Sequence, residues 1–117
     1  MNRVLVYRGE IPTTRAEVHS CETPVQRVLS LHVTNTTEGI LEFTLDVDRG
    51  GAVSEVLFEI PVHGSSMLKD SFEWVPGRFL LTRTTPAASG TGLVGDIMGL
   101  TASDAGLTYH LSVEVLE

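Results

Sequence analysis

The sequence predicts an all-β protein: one antiparallel β-sandwich, jelly-roll-like and of about eight strands, filling residues 1–117 as a single domain. Apolar and polar residues alternate with a period of two along most of the chain, which sends successive side chains to opposite faces of a strand, and helical spacing is scarce. Turn formers fall between the alternating runs at intervals of about 8–15 residues, the rhythm of a sandwich or barrel. With 117 residues, 42% of them apolar, the chain can hide roughly two-thirds of its unfolded surface, enough for one core and not two.

Taken in order, residues 3–8 and 16–20 are short candidate strands. Residues 26–35 alternate Arg27, Leu29, Leu31 and Val33 with Val28, Ser30, His32 and Thr34, and their β-branched content favours a strand with the two sets on opposite faces. Residues 41–48 give the clearest pattern, Leu41, Phe43, Leu45 and Val47 against Glu42, Thr44, Asp46 and Asp48, a half-buried strand with a polar face in solvent. Residues 53–62 carry apolar side chains on both faces, Val56, Phe58, Ile60 and Val62 on one and Val53 and Leu57 on the other, which predicts a central strand or one covered on both sides. Shorter candidates occupy 67–74, 78–83 and 96–102. The last run, 107–115, alternates Leu107, Tyr109, Leu111, Val113 and Val115 with Thr108, His110, Ser112 and Glu114. Nine candidate strands result, with turns expected at 36–39, 48–51, 63–66, Pro76-Gly77 and 104–106. The uncharged, small-residue stretch 84–95 is expected to be a loop, long enough to carry function.

Eight basic residues against 15 acidic ones give a formal charge of −7. Nucleic acid is therefore not an expected partner, because phosphate contacts need a basic patch. An anionic membrane surface would repel the chain, and no apolar run of the sequence approaches the ~20 residues that span a bilayer. The amino-terminal MNRVLVYRGE alternates instead of presenting an unbroken apolar run, so no export signal is expected. The two terminal segments are expected to pair in a sheet or to dock on a neighbour. A single cysteine, Cys21, excludes an internal disulfide and a cysteine-based zinc site, which leaves packing to hold the fold.

The sequence is read as non-enzymatic, with no cofactor and no metal. His19, His32, His63 and His110 show no ligand spacing, although His32 and His110 would be neighbours if their strands paired. Ser65 and Ser66 follow His63, but adjacency in a turn makes no triad and the chain has no nucleophile elbow. Cys21 shares a strand face with His19 at i+2, and a buried structural cysteine is favoured over a reactive thiol. Glu42, Asp46 and Asp48 lack the spacing of a calcium loop and are expected to form a solvated acidic face. Asn35-Thr36-Thr37 fits a glycosylation acceptor and is read as an ordinary turn, and Gly90, Gly92 and Gly95 lack the Lys-Ser/Thr of a phosphate loop.

More informative is apolar bulk: Phe72, Trp74, Val75, Phe79, Leu80 and Leu81 fall within ten residues. Only alternate strand residues point inward, so a window this apolar is expected to expose some of them. The predicted contact set is Phe72, Trp74, Phe79 and Leu80, with Val4 and Tyr7 from the amino-terminal arm. A sandwich also leaves edge strands, and lysine, the usual edge blocker, occurs once, at Lys69. A homo-oligomer, dimer or trimer, is expected.

Three segments, YRGEIPTT (7–14), LSLHVTNTT (29–37) and GDIMGLTASDAGLTYHLSVEVLE (95–117), resemble in this order small β-sandwich virion structural proteins of tailed bacteriophages. The positions that carry the resemblance are Gly9, Ile11, Pro12, Thr13 and Thr14; Thr34, Asn35 and Thr36; and Gly95, Asp96, Ile97, Ala102, Ser103 and Glu117, under half of the chain. Residues 72–92 depart from the pattern, being longer and more aromatic. The resemblance implies a virion protein assembled in the bacterial host cytoplasm: a cement or decoration protein on the head shell, bound to the major capsid protein or another virion protein, or else a tail or neck component. A different class, a receptor- or carbohydrate-binding module, would need exposed aromatics lining a groove, for which Trp74 and Tyr109 are the candidates.

Overall fold

The computed structural model describes residues 3–50, 55–62, 71–86, 90 and 92–116. Val53, His63, Ser65, Ser66, the first part of the expected 67–74 strand, Lys69 and Glu117 lie outside the described residues. Within them the chain is all-β: β1 (Arg3–Glu10), β2 (Ala16–Ser20), β3 (Val25–Asn35), β4 (Leu41–Asp48), β5 (Glu55–Val62), β6 (Ser71–Trp74), β7 (Leu80–Thr82), β8 (Thr85–Pro86), β9 (Leu93–Val94), β10 (Ile97–Ala102) and β11 (Leu107–Val115).

Two antiparallel sheets face one another. The first has the order β1-β11-β3-β6, with β7 also on β3, and the second has β2-β10-β4-β5. β6 pairs with the Leu31–Thr34 part of β3 and β7 with the Val25–Arg27 part, so the two share one edge interrupted at Pro76-Gly77. Proline breaks the ladder there because it has no N–H to donate. Setting aside the small β8–β9 ribbon leaves eight strand positions, in chain order one-eight-three-six against two-seven-four-five, a jelly-roll-like sandwich. The terminal strands pair with each other, β1 on β11. The expected 84–95 loop is in part this ribbon, Thr85–Pro86 on Leu93–Val94.

The core lies between the sheets. Val28, Leu31, Val33, Leu107, Leu111 and Val113 line it from the first sheet, and Phe43, Leu45, Val47, Met98, Leu100 and Ala102 from the second. Each buried side chain of this kind stabilises the fold by about 1.5–3 kcal/mol relative to exposure. Phe72 enters the same space from β6 and meets the Phe43 ring at 5.3 Å between centroids.

Two sequence expectations are corrected. The simple alternation of 26–35 fails because β3 holds one extra residue, Leu29, opposite the Ser112/Val113 step of β11. A bulge of this kind shifts the phase by one, so Gln26 and Val28 turn inward together with Leu31, Val33 and Asn35. Residues 55–62 are not a central strand either: among the described residues β5 pairs with β4 alone and forms an edge.

Candidate interaction surface

The face of the first sheet turned away from the core is built row by row from the strand registers. One row reads Val4, Glu114, Arg27 and Leu80; the next Val6, Ser112 and Ser30; the third Arg8, His110, His32 and Glu73. Cross-strand neighbours of this kind sit close enough to interact. Arg27 bonds Glu114, and His32 Nε2 lies 2.5 Å from Glu73 Oε2. His32 and His110 are direct cross-strand partners, as the sequence suggested for paired strands.

The predicted contact residues divide by orientation. Val4 and Leu80 project from this face, 49% and 44% exposed, and lie in the same row on either side of the Glu114–Arg27 pair. Tyr7, Phe72, Trp74 and Phe79 are half-buried and pack against the core. Trp74 meets Phe79 edge-on at 5.3 Å, and the Arg49 guanidinium sits 4.7 Å above the Phe79 ring. The other candidate aromatic, Tyr109, is half-buried against the backbone of Gly9, and burial pushes its phenol pKa up, with Tyr7 adding to the effect. Trp74 and Tyr109 thus belong to the core side of the first sheet and do not line an outer groove of the sort a sugar would need.

The positions that carry the phage-like resemblance fasten the sandwich where the chain changes sheet. Ile11 is fully buried; its N–H donates to Leu107 O (2.8 Å), and Pro12 O accepts from Ala102 N (2.8 Å), so this corner ties β11 of one sheet to β10 of the other. Asn35, the buried last residue of β3, donates to Gly39 O (2.7 Å) and Val62 O (2.8 Å) and accepts from Thr37 N (2.9 Å). Its side chain is committed to folding the β3–β4 connection, in keeping with an ordinary turn. Thr36 N–H and hydroxyl both donate to Gly106 O (2.8 Å). Ser103 donates its N–H to Glu42 O and accepts from Glu42 N.

Asp96 is the most connected of these fasteners, and the sequence signal for it was only the Gly-Asp pair. Its carboxylate, 3% exposed as a residue, accepts from Arg49 Nη1 (2.9 Å), Gly50 N (2.9 Å) and Thr82 N (3.0 Å), and its backbone bonds Thr82 O and Cys21 N. Gly95 is needed beside it because a Cβ there would collide with the carbonyl of Cys21.

The acidic face of β4 is corrected. Asp46 is buried and bonded to Arg15 at 2.6 Å, and Asp48 stands 3.4 Å from the same guanidinium; the sequence pattern could not show an arginine arriving from outside the strand. Glu42 remains exposed. Cys21 is fully buried, its thiol donating to Thr23 O, and burial pushes its pKa up, which disfavours the thiolate. His19 is buried beside it. Among the described residues no group of three or more His, Cys, Asp or Glu is placed to hold a metal ion. An open hollow of about 330 Å³ is lined by Glu22, Thr23, Pro24, Arg83 and Leu93, and Arg83 is already engaged by Glu22 (3.4 Å) and Leu93 O (3.3 Å).

By sequence, no known protein family and no curated protein matches the chain. By fold, it is similar to a chain of infectious bursal disease virus, Gx strain, with 10% identity and a TM-score of 0.50 over 98% of this chain and 33% of that one. A chain of the T13 viral particle of the same virus gives 10% identity and a TM-score of 0.50 over 97% of this chain and 31% of that one. The chain thus spans about a third of the viral proteins it matches. A protein of the disulfide-linked pili that form Bacillus endospore appendages is similar at 11% identity and a TM-score of 0.49, over 97% of this chain and 85% of that one.

Proposed function

We propose that this chain is a non-catalytic structural protein of a virion, acting as a cement or decoration protein on the head shell of a tailed bacteriophage. The observation that carries the reading is where the phage-like motifs fall. Ile11-Pro12, Asn35-Thr36, Gly95-Asp96 and Ala102-Ser103 bond the corners of the sandwich to one another. The resemblance therefore lies on residues that determine this fold, in the fold class of chains from a viral particle. A shell needs many copies of a small domain, and this one presents a sheet face on which Arg27 and Glu114 pair with each other and Val4, Val6 and Leu80 stand exposed to make contact.

In this reading the partners are further copies of the chain and the major capsid protein or another virion protein, with assembly in the host cytoplasm. Val4 and Leu80 make the proposed contact, and Tyr7, Phe72, Trp74 and Phe79 hold the strands beneath it in place. Imaging of a labelled chain in intact particles tests the reading. A regular array of label over the head is expected; label confined to the tail or neck would move the protein to that site, and its absence from purified particles would overturn the reading. Val4→Asp with Leu80→Asp should leave the domain folded and deplete it from particles.

A further inference from the structure

The two sheets have four edges, and three of them are blunted. β2 is five residues long and holds an extra residue, Val18, opposite the Met98/Gly99 step. β5 has its own extra residue, Leu57, opposite the Leu45/Asp46 step, and contains Pro61. The β6–β7 edge consists of four- and three-residue pieces interrupted at Pro76-Gly77. Bulges, proline and short length are the devices by which a sheet edge avoids pairing with another chain.

β1 has none of them. It runs for eight residues in unbroken register on β11, from Arg3 opposite Val115 to Glu10 opposite Thr108, without bulge, proline or lysine. Among the described residues nothing pairs with its other side. Every second residue of an edge strand directs its N–H and C=O away from its neighbour, so β1 presents a straight ladder ready for another strand. Its outward side chains Val4 and Val6 are each 49% exposed.

The geometry points to a second copy of this chain as the occupant, its β1 added antiparallel to the first so that the two five-stranded sheets become one. The inference deepens the self-assembly part of the proposed function and rests on that reading only for the choice of partner. A two-fold axis perpendicular to the sheet requires residues of the same face to oppose each other. Centred on Val6, it sets Val6 opposite Val6 of the second copy, Val4 opposite Arg8, Leu5 opposite Tyr7 and Arg3 opposite Gly9. No like charges then face each other, and four valines gather on the outer face. The outer row would read Arg8 of the second copy, Val4, Glu114, Arg27 and Leu80, with opposite charges nearest across an apolar residue. Centring on Tyr7 instead would oppose Val4 to Glu10 and Val6 to Arg8, so that both exposed valines meet charges.

The experiment is sedimentation of the full chain at tens of micromolar, wild type beside Val6→Lys and Val4→Lys, together with Val6→Cys exposed to oxidised glutathione. A dimer is expected for the wild type and monomers of unchanged circular dichroism for the lysine variants. Val6→Cys should form a covalent dimer, because directly opposed residues in a sheet lie within disulfide range. A monomeric or trimeric wild type, or lysine variants that remain dimeric, would overturn the inference, and if a lysine variant fails to fold the wild-type mass and the Val6→Cys cross-link still decide it. A monomer that is incorporated into particles would sink the edge pairing and leave the virion reading standing; a dimer that never enters particles would do the reverse.

Discussion

Arg15 lies across the backbone of Gly99 and donates from Nε to Asp46 Oδ1 at 2.6 Å. The crossing is possible because Gly99 has no side chain: a Cβ there would come to 2.7 Å from both Arg15 Cζ and Asp46 Oδ1. Gly99 and Asp46 are cross-strand partners on β10 and β4, so an arginine from outside either strand covers both. Burial alone would lower the Arg15 pKa, but the hydrogen bond to Asp46 and the charges of Asp46, Asp48 and Glu17 raise it above its ordinary value.

The three residues should behave as one unit. Asp46→Asn is expected to lower unfolding free energy by about 1–2 kcal/mol, a charged hydrogen bond discounted for the partial exposure of Arg15. Gly99→Ala should displace the guanidinium, so Arg15→Ala should cost less in a Gly99→Ala background than alone, with a coupling of roughly 0.5–3 kcal/mol. Urea titration of the four chains measures it; additive losses would show that Arg15 and Gly99 act independently.

Asp96 should be more costly to change. Asp96→Asn replaces an acceptor that serves Arg49 and two backbone N–H groups with an amide that cannot satisfy all three. The expected loss is about 2–3 kcal/mol, chiefly from backbone N–H groups left without an acceptor, with the Arg49 pair discounted for that side chain's exposure. A loss under about 1 kcal/mol, the value of one ordinary hydrogen bond, would mean that water replaces the carboxylate.

Strand positions were legible in the sequence because each buries one face, and a period of two marks such a face wherever it is unbroken. Residues 41–48 coincide with β4 for that reason. What the pattern could not carry is what happens between strands. The Leu29 bulge changes phase without a residue type that marks it, and the edge position of β5 depends on partners distant in the chain. The same holds for the candidate surface. An apolar window at 72–81 was visible, but only the register separates Leu80, which projects, from Trp74, which packs inward.

That separation gives a third expectation. Trp74→Ala should lower stability by about 2–4 kcal/mol, toward the low end of large-to-small aromatic changes because the ring is half-buried. Leu80→Ser and Val4→Ser should each stay within about 0.5 kcal/mol of wild type, as at ordinary surface sites. Thermal or urea unfolding compares them, and a Trp74→Ala chain as stable as the parent would place the indole outside the core.

His19 makes stability depend on pH. Its ring is buried between the sheets, with Nε2 2.5 Å from Gln26 Oε1 and the Tyr7 ring 5.1 Å away. The Gln26 amide nitrogen is directed to Thr23 Oγ1, so its oxygen faces the imidazole and Nε2 carries the proton, leaving Nδ1 buried without a partner among the described residues. Burial lowers the pKa of this histidine below its ordinary 6.5, while the hydrogen bond to Gln26 and the charge of Glu22 act in the opposite direction. Above that ordinary value both folded and unfolded chains hold His19 neutral, and the group adds no pH dependence. As pH falls below it the unfolded chain takes up the proton first, so stability falls, by at most about 1.4 kcal/mol per pH unit, until the folded-state pKa is reached. The readout is the difference between wild type and His19→Gln in urea midpoints from about pH 7.5 to about 4.5. The wild-type midpoint should fall more steeply than that of the variant below about pH 6.5; parallel curves would show that His19 accepts its proton in the folded chain as readily as in the unfolded one.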